Sequence, residues 1–211
     1  MFKPEDFFNL QDISFADIFK GLEFSWEALL KIKGYIESCK LKNEGNVSKK
    51  AEISGKVIIE KGAVIDSYSV ICGPAFIGKN THIRPFSFIR ENTIIGENCI
   101  IRGEIKDAII LNNTHLAHFN YVGDSILGSS VNMGAGSKLA NFRLDQKNIK
   151  IKINNKLIDT GFLKFGAILG DGVQIGCNAI INPGTLVGKN SVVYPLISPG
   201  SGFYPLNSKI K

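Results

Sequence analysis

The stretch His115-Leu-Ala-His118-Phe-Asn-Tyr121 holds two of the chain's three histidines, with His82 the third. An imidazole with its ordinary pKa of about 6.5 accepts a proton near neutral pH and equally well ligates zinc. Next to an apolar repeat, however, a lone histidine is more often structural. Basic groups gather further on. Lys147, Lys150, Lys152 and Lys156 alternate with Ile149, Ile151, Ile153 and Leu157, and this period of two predicts a two-stranded arm turning at Asn154-Asn155. The plain reading of the arm is a solvated ribbon; the sharper one is an anion-binding strip. The four cysteines, Cys39, Cys72, Cys99 and Cys177, show no CxxC spacing, which fits a reduced, cytoplasmic setting.

The framework that must hold these groups is a six-residue repeat. Ile53, Ile59, Ile65, Ile71, Ile77, Ile83, Ile89, Ile95 and Ile101 recur at that interval, and four positions after most of them comes a small residue: Val57, Ala63, Ser69, Ala75, Thr81, Ser87, Thr93 and Cys99. This is the hexapeptide signature of a parallel β-helix, in which each unit is a short strand and a bend and about 18 residues complete one triangular coil. The phase is lost around Asp107. It returns as Leu127, Met133 and Leu139, then as Leu169, Ile175, Ile181, Val187 and Val193.

Composition agrees with one soluble solenoid and an accessory segment: 211 residues, 44% hydrophobic, 21% charged, 22 glycines. No apolar run is long enough to span a membrane, and the charges at Lys3, Glu5 and Asp6 argue against a signal peptide. The net charge of +6 suits an anionic ligand, but the basic residues are dispersed and no nucleic-acid motif accompanies them. Six of the 14 phenylalanines lie between Phe2 and Phe24. After Ser25, a candidate N-cap, Trp26, Leu29, Leu30, Ile32, Tyr35 and Ile36 form a helical stripe interrupted by Gly34. The expected organisation is a segment 1–45 covering the open first coil, a β-helix over 46–200 with an inserted arm at about 141–165, and a tail at 201–211. Gly45 to Lys50 reads as a linker. Because an arm of this kind has no place inside a coil, it is expected to reach over a neighbouring subunit.

Chemistry is expected where the repeat breaks, at Lys106 to Tyr121 and from Asn141 to Phe165. There the chain resembles a known family. His118-Phe-Asn-Tyr-Val-Gly-Asp124, Val131-Asn-Met-Gly-Ala-Gly136 and Asn141-Phe-Arg143 with Lys147 resemble the acetyltransferase domain of bifunctional glucosamine-1-phosphate acetyltransferase/N-acetylglucosamine-1-phosphate uridylyltransferases. Asp159-Thr-Gly161, Lys164-Phe-Gly-Ala167 and Ile181-Asn-Pro-Gly184 are closer still to the archaeal-type sugar-1-phosphate nucleotidylyltransferase/acetyltransferases. The resemblance spans about residues 50 to 200 and implies an all-β, left-handed parallel β-helix assembled as a homotrimer.

It also implies roles. His118 is the general base that takes a proton from the amine of an amino-sugar 1-phosphate, so that nitrogen attacks the thioester of acetyl-CoA directly. Tyr121 orients the sugar phosphate, and Asn141 bonds the sugar or holds the histidine tautomer. Lys147 and Lys150 bind phosphate. Lys106 and Arg90 are further phosphate contacts, with Arg84 competing for the place of Arg90. Asn132 divides between substrate contact and a structural asparagine ladder. A backbone N–H in the turn Met133 to Gly136 suits the oxyanion. Acetyl-CoA is matched by Ala135, Ala167, Cys177 and Pro195, with Cys177 where relatives often have serine and Phe142 where they have tyrosine. No metal is required, and glucosamine 1-phosphate precedes galactosamine 1-phosphate as the expected acceptor, on the route to UDP-N-acetylglucosamine.

Other readings compete. The γ-class carbonic anhydrases share the fold and bind zinc through three histidines, and this chain has three. A CoA-dependent acyltransferase for another amine or hydroxyl would keep His118 and release the lysines. A non-catalytic assembly subunit would need none of the set. The bifunctional relatives carry a nucleotidyltransferase domain with a Gly-x-Gly-Thr-Arg loop; with 45 residues before the repeat, uridylyl transfer is expected to belong to a separate partner protein.

Overall fold

The computed structural model describes residues 2–153 and 156–211; the expected Asn154-Asn155 turn lies outside the described residues. Residues from Asn46 on wind into a left-handed parallel β-helix of about nine turns. The spacing explains the winding. The repeat aliphatics Ile59, Ile65, Ile71, Ile77, Ile83, Ile89, Ile95 and Ile101 stack inward at 0–1% exposure, and the small residues Ala63, Ala75 and Cys99 fill the space beside them. Bends fall on residues that accept a left-handed backbone, among them Asn80, Asn92, Asn98, Asn178 and Asn190 at φ of 55–57°.

The coil has a triangular section. On the first face, Val64, His82, Ile100, His115, Asn132, Gln174 and Val192 pair in register across successive coils. On the second, Val70, Phe88, Glu104, Tyr121, Lys138 and Ile180 do so. The third is an 8-stranded sheet from Val57–Ile59 to Gly202–Tyr204. Its strands are mostly apolar, as in Val57-Ile-Ile59 and Ala75-Phe-Ile77, so their outward residues need a cover.

That cover is the N-terminal segment, which lies lengthwise on the third face, while its last residues, Lys42 to Glu44, pair with Ile59 of the first coil. Phe2 and Phe7 pack on Phe203 in a late coil, at 5.0 and 6.1 Å between ring centres. The N–H of Asp171 donates to Phe7 O, Asn112 Nδ2 donates to Asp12 O, and Phe15 meets Phe76 in an early coil. At the far end Lys56 Nζ donates to the carbonyls of Glu37 and Cys39. The outward Ile58, Phe76, Ile94, Ile109, Ile126, Ile168 and Leu186 are buried beneath this strap. The helical stripe starts as a 3-10 turn, Ser25–Lys31, and becomes α-helical over Ile32–Ser38. Ser25 is not its cap: its Oγ donates to Phe2 O at 2.7 Å, and Glu27 Oε2 accepts from the N–H groups of Glu23 and Phe24. Leu30, at 72% exposure, lies off the stripe.

Three further expectations change. Asn46–Val47 is already a strand of the first coil, not linker. The segment after residue 200 continues the solenoid as Gly202–Tyr204 and Lys209–Ile210, not a tail. The arm, Lys150–Ile153 antiparallel to Lys156–Asp159, folds back on its own chain. Its Ile149 and Ile151 are buried with Phe165, a Cβ at Gly184 would meet both isoleucines, and Ser201 Oγ donates to Lys150 O. Apolar residues on one edge of the ribbon find the covered face of the same molecule.

Candidate active site

The lost phase around Asp107 is a shortened coil. His82 pairs with Ile100 at the regular spacing, but Ile100 pairs with His115, and His115 with Asn132. Between Ile101 and Gly103 one residue turns the corner, whereas the next coil uses Ala117, His118 and Phe119 between Leu116 and Asn120. His118 and Phe119 therefore overhang the shorter coil. Phe119 takes φ of 53° and is 58% exposed. Asn120, nearly fully buried, holds the overhang: its Nδ2 donates to Gly134 O and Ser137 Oγ, and its Oδ1 lies 3.4 Å from the N–H of His118. Sequence reasoning missed Asn120, whose one signal was a polar residue at an inward position of the repeat.

The corner of His118 continues toward the C-terminus as a ladder. His118 O accepts from Gly136 N–H, Ala135 O from Asn178 N–H, and Cys177 O from Leu196 N–H. Ala135, Cys177 and Pro195 are thus successive neighbours on one edge, and Cys177 is exposed. In the glycine turn the N–H of Gly134 donates to Ile175 O, that of Gly136 to His118 O and that of Ser137 to Gly134 O. Among the described residues that of Ala135 has no such partner, which makes it the free donor of the turn. Ala167 does not belong to this edge. It is fully buried in the core at a small inward position, so its methyl is not available to a cofactor.

A second cluster forms across the second face. Tyr121 OH donates to Asn141 Oδ1 at 3.5 Å, and Asn141 Nδ2 donates to Asp124 Oδ2. Lys106 Nζ lies 3.1 Å from Asp124 and 2.6 Å from Asp107. Arg90 Nη1 pairs with Glu104 at 2.9 Å, and Glu104 is the register neighbour of Tyr121. The close approach depends on Gly123: a Cβ there would stand 2.6 Å from Asn141 Nδ2 and 2.7 Å from Tyr121 OH. Burial pushes the Tyr121 phenol up, opposed by the Lys106 charge, so it stays a neutral donor at physiological pH. Burial pulls the Lys106 ammonium down, but the bond to Asp107 and the charges of Asp124 and Asp107 outweigh it and hold it above its ordinary value.

The remaining expected residues stand apart. Asn132 is exposed on the first face between His115 and Gln174. Lys150 pairs across the arm with Asp159 at 3.6 Å, and Lys147 follows the Arg143–Asp145 pair, with its N–H on Asp145. Neither lysine bonds Tyr121 or Asn141 in this chain. The histidines are dispersed: His82 Nε2 binds Asp66 at 2.6 Å, His115 belongs to the first face, and His118 to the corner. Among the described residues no group of three or more His, Cys, Asp or Glu side chains converges.

Fold and corner chemistry define a hexapeptide-repeat β-helix with a polar cluster built where one coil is cut short. The chain belongs to the family described as the GMPPB C-terminal domain, whose model matches residues 71–195. It is 41% identical over 159 residues to the bifunctional sugar-1-phosphate nucleotidylyltransferase/acetyltransferase of Sulfurisphaera tokodaii, covering 72% of this chain and 39% of the relative. It is 37% identical to the bifunctional protein GlmU of Methanococcus vannielii, covering 80% and 41%. The chain thus spans about two-fifths of the length of these relatives. Among solved structures, the UDP-N-acetylglucosamine acyltransferase of Francisella novicida has the same fold, with a TM-score of 0.52 at 18% identity over 80% of this chain and 67% of that one. No helix among the described residues is long and apolar enough to cross a membrane.

Proposed function

We propose that this chain transfers the acetyl group of acetyl-CoA to the amine of an amino-sugar 1-phosphate, glucosamine 1-phosphate before galactosamine 1-phosphate, with His118 as general base. The observation that carries the reading is the edge on which His118, Ala135, Cys177 and Pro195 succeed one another, a continuous track for an extended cofactor that ends at an imidazole. The names of the relatives, sugar-1-phosphate acetyltransferases among them, support the substrate class.

In this reading the acceptor arrives largely as an ammonium and His118 takes the proton. The freed nitrogen attacks the thioester carbonyl, and the Ala135 N–H stabilises the oxyanion that develops there. Collapse expels the CoA thiolate, which takes the proton from the imidazolium; the regenerated imidazole then accepts the second proton of the amide nitrogen and passes it to solvent, so the base is restored and no enzyme acyl intermediate forms. Tyr121 and Asn141 orient the sugar, with Lys106 holding Asp124 so that the Asn141 amide keeps its direction. Lys147 and Lys150 serve phosphate from the arm. The assembly is a homotrimer, and the product goes on to a nucleotidyltransferase.

Thiol release from acetyl-CoA, measured with glucosamine 1-phosphate, galactosamine 1-phosphate and a hydroxyl acceptor, tests the reading. Turnover of the amino-sugar phosphates alone is expected. Turnover restricted to the hydroxyl acceptor would replace the substrate class, and none with any acceptor would favour a binding scaffold.

A further inference from the structure

The inward positions along the second face are small. The residues just before the register partners Val70, Phe88, Glu104, Tyr121, Lys138 and Ile180 are Ser69, Ser87, Gly103, Asn120, Ser137 and Ala179. Asn120 is the largest of them and is 2% exposed. Room for it comes from the preceding coil, where a Cβ on Gly103 would lie 2.1 Å from Asn120 O. A buried primary amide costs free energy unless its donors and its acceptor are matched. The partners of this one lie on the two segments that carry the proposed base and the proposed oxyanion donor.

Asn120 Nδ2 donates to Gly134 O at 2.8 Å and to Ser137 Oγ at 3.0 Å, and Ser137 Oγ in turn donates to Gly134 O at 2.8 Å. Gly134 O thus accepts from two buried side chains. Its peptide bond is the one that carries the Ala135 N–H. Because the C=O and N–H of a trans peptide point to opposite sides, drawing Gly134 O inward turns the Ala135 N–H outward, at a residue that is itself exposed. A peptide flanked by glycine has little else to hold it in that plane. At the other end of the amide, Asn120 Oδ1 accepts from the His118 N–H at 3.4 Å, and His118 O accepts from the Gly136 N–H. The amide fits one way round only, since turned over it would set Oδ1 against Gly134 O.

We propose that Asn120 is a positioning residue for acetyl transfer: one buried amide fixes the His118 imidazole and the Ala135 N–H relative to each other by bonding the coil of each. This role rests on the acetyltransferase reading. Asn120 is enclosed and meets neither substrate, so its loss acts on kcat and leaves both KM values in place. Donation to Gly134 O also polarises that peptide and strengthens the Ala135 N–H as a donor. Ser137, which shares the carbonyl, carries a smaller part of the same task.

Asn120→Ser places the commonest side chain of the inward row at this position, and Ser137→Ala copies Ala179. Steady-state thiol release by the full chain, with acetyl-CoA and glucosamine 1-phosphate, tests the role. We expect kcat to fall about a hundredfold in Asn120→Ser and about tenfold in Ser137→Ala, with KM for both substrates within about twofold of native. The double variant should lose less than the product of the two, because both side chains hold one carbonyl. Native kcat in a folded Asn120→Ser would overturn the proposal, as would a rise in KM that accounts for the whole loss of kcat/KM. If Asn120→Ser does not fold, Ser137→Ala decides, and native kcat there would overturn it. If the native chain turns over no amine, the functional reading fails separately and amide hydrogen exchange decides the coupling. Asn120→Ser should then speed exchange at the His118 and Gly136 amides together while distant coils keep their rates, and an unchanged rate at either amide would overturn it.

Discussion

Gly123 supports the Tyr121–Asn141 cluster by having no side chain. Tyr121 OH and Asn141 Nδ2 occupy the space its Cβ would fill, at 2.7 and 2.6 Å. Gly123→Ala must displace one of them without disturbing a left-handed turn, because Gly123 is not among the residues of positive φ. We expect kcat/KM to fall about a hundredfold, the scale of misplacing a group by about an ångström, with the unfolding midpoint little changed. Unchanged kcat/KM would remove Tyr121 and Asn141 from the site. The thiols provide a second prediction. Cys177 is exposed on the edge assigned to acetyl-CoA, whereas burial pushes the Cys99 thiol up to about 12. A disulfide reagent should therefore modify Cys177 in the folded protein, acetyl-CoA should slow that reaction, and Cys99 should respond only after unfolding. Equal rates with and without acetyl-CoA would move the cofactor off this edge. Among single residues, Lys106, Tyr121 and Asn141 were named through the family resemblance, and the fold brings them together. Asn120 and the free Ala135 N–H were not, because each depends on how many residues the chain spends on one corner, a property of the backbone path. Ala167 was misplaced for the same reason, its inward phase being hidden by the arm that precedes it.

The strap is the element whose placement differs most from expectation. Its aromatic residues were legible as a packing surface, and the strands of the third face as part of the six-residue period. That the two cover each other along the whole solenoid follows from burial: a face with Ile58, Phe76, Ile94 and Ile109 turned outward is satisfied only by an equally long apolar partner. Trp26 stacks on Phe24 at 4.5 Å and reaches Phe165 at the root of the arm, so it ties strap, arm and coil together. Trp26→Ala should cost about 3–5 kcal/mol in urea unfolding, and a loss under about 1 kcal/mol would show the strap to be loosely held. Tyr35 reports on the strap's other end. Burial, followed by its neighbour Cys39, raises its phenol from 10.0 to about 12. A raised acid favours the folded state while it stays protonated. This contribution is complete below pH 10 and is lost as pH climbs through about 12. Tyr35→Phe, which keeps the ring against Phe15 and Phe76, should flatten the fall of stability in that window. An identical alkaline profile would contradict the half-buried placement of Tyr35.

The whole molecule leaves two of its three faces open, since strap and arm occupy the third. In a trimer, neighbouring copies must therefore meet across the faces that carry His118 and Tyr121, which places the proposed site at subunit boundaries. Three chains of 23.1 kDa should give about 69 kDa by light scattering, and a stable 23.1 kDa species with full activity would separate catalysis from assembly. The solenoid itself was legible because a six-residue period has few structural solutions, while the course of strap and arm depends on long-range burial that periodicity does not encode. In the proposed reaction the imidazole at the overhanging corner is the base for acetyl transfer. Its most direct test is thiol release from acetyl-CoA with glucosamine 1-phosphate across pH, for the native chain and for His118→Ala matched in unfolding midpoint. A loss of about a hundredfold or more in kcat is expected in the variant, with its rate recovering as alkaline pH deprotonates the amine without help. Equal kcat in the two proteins, with the same pH profile, would contradict it.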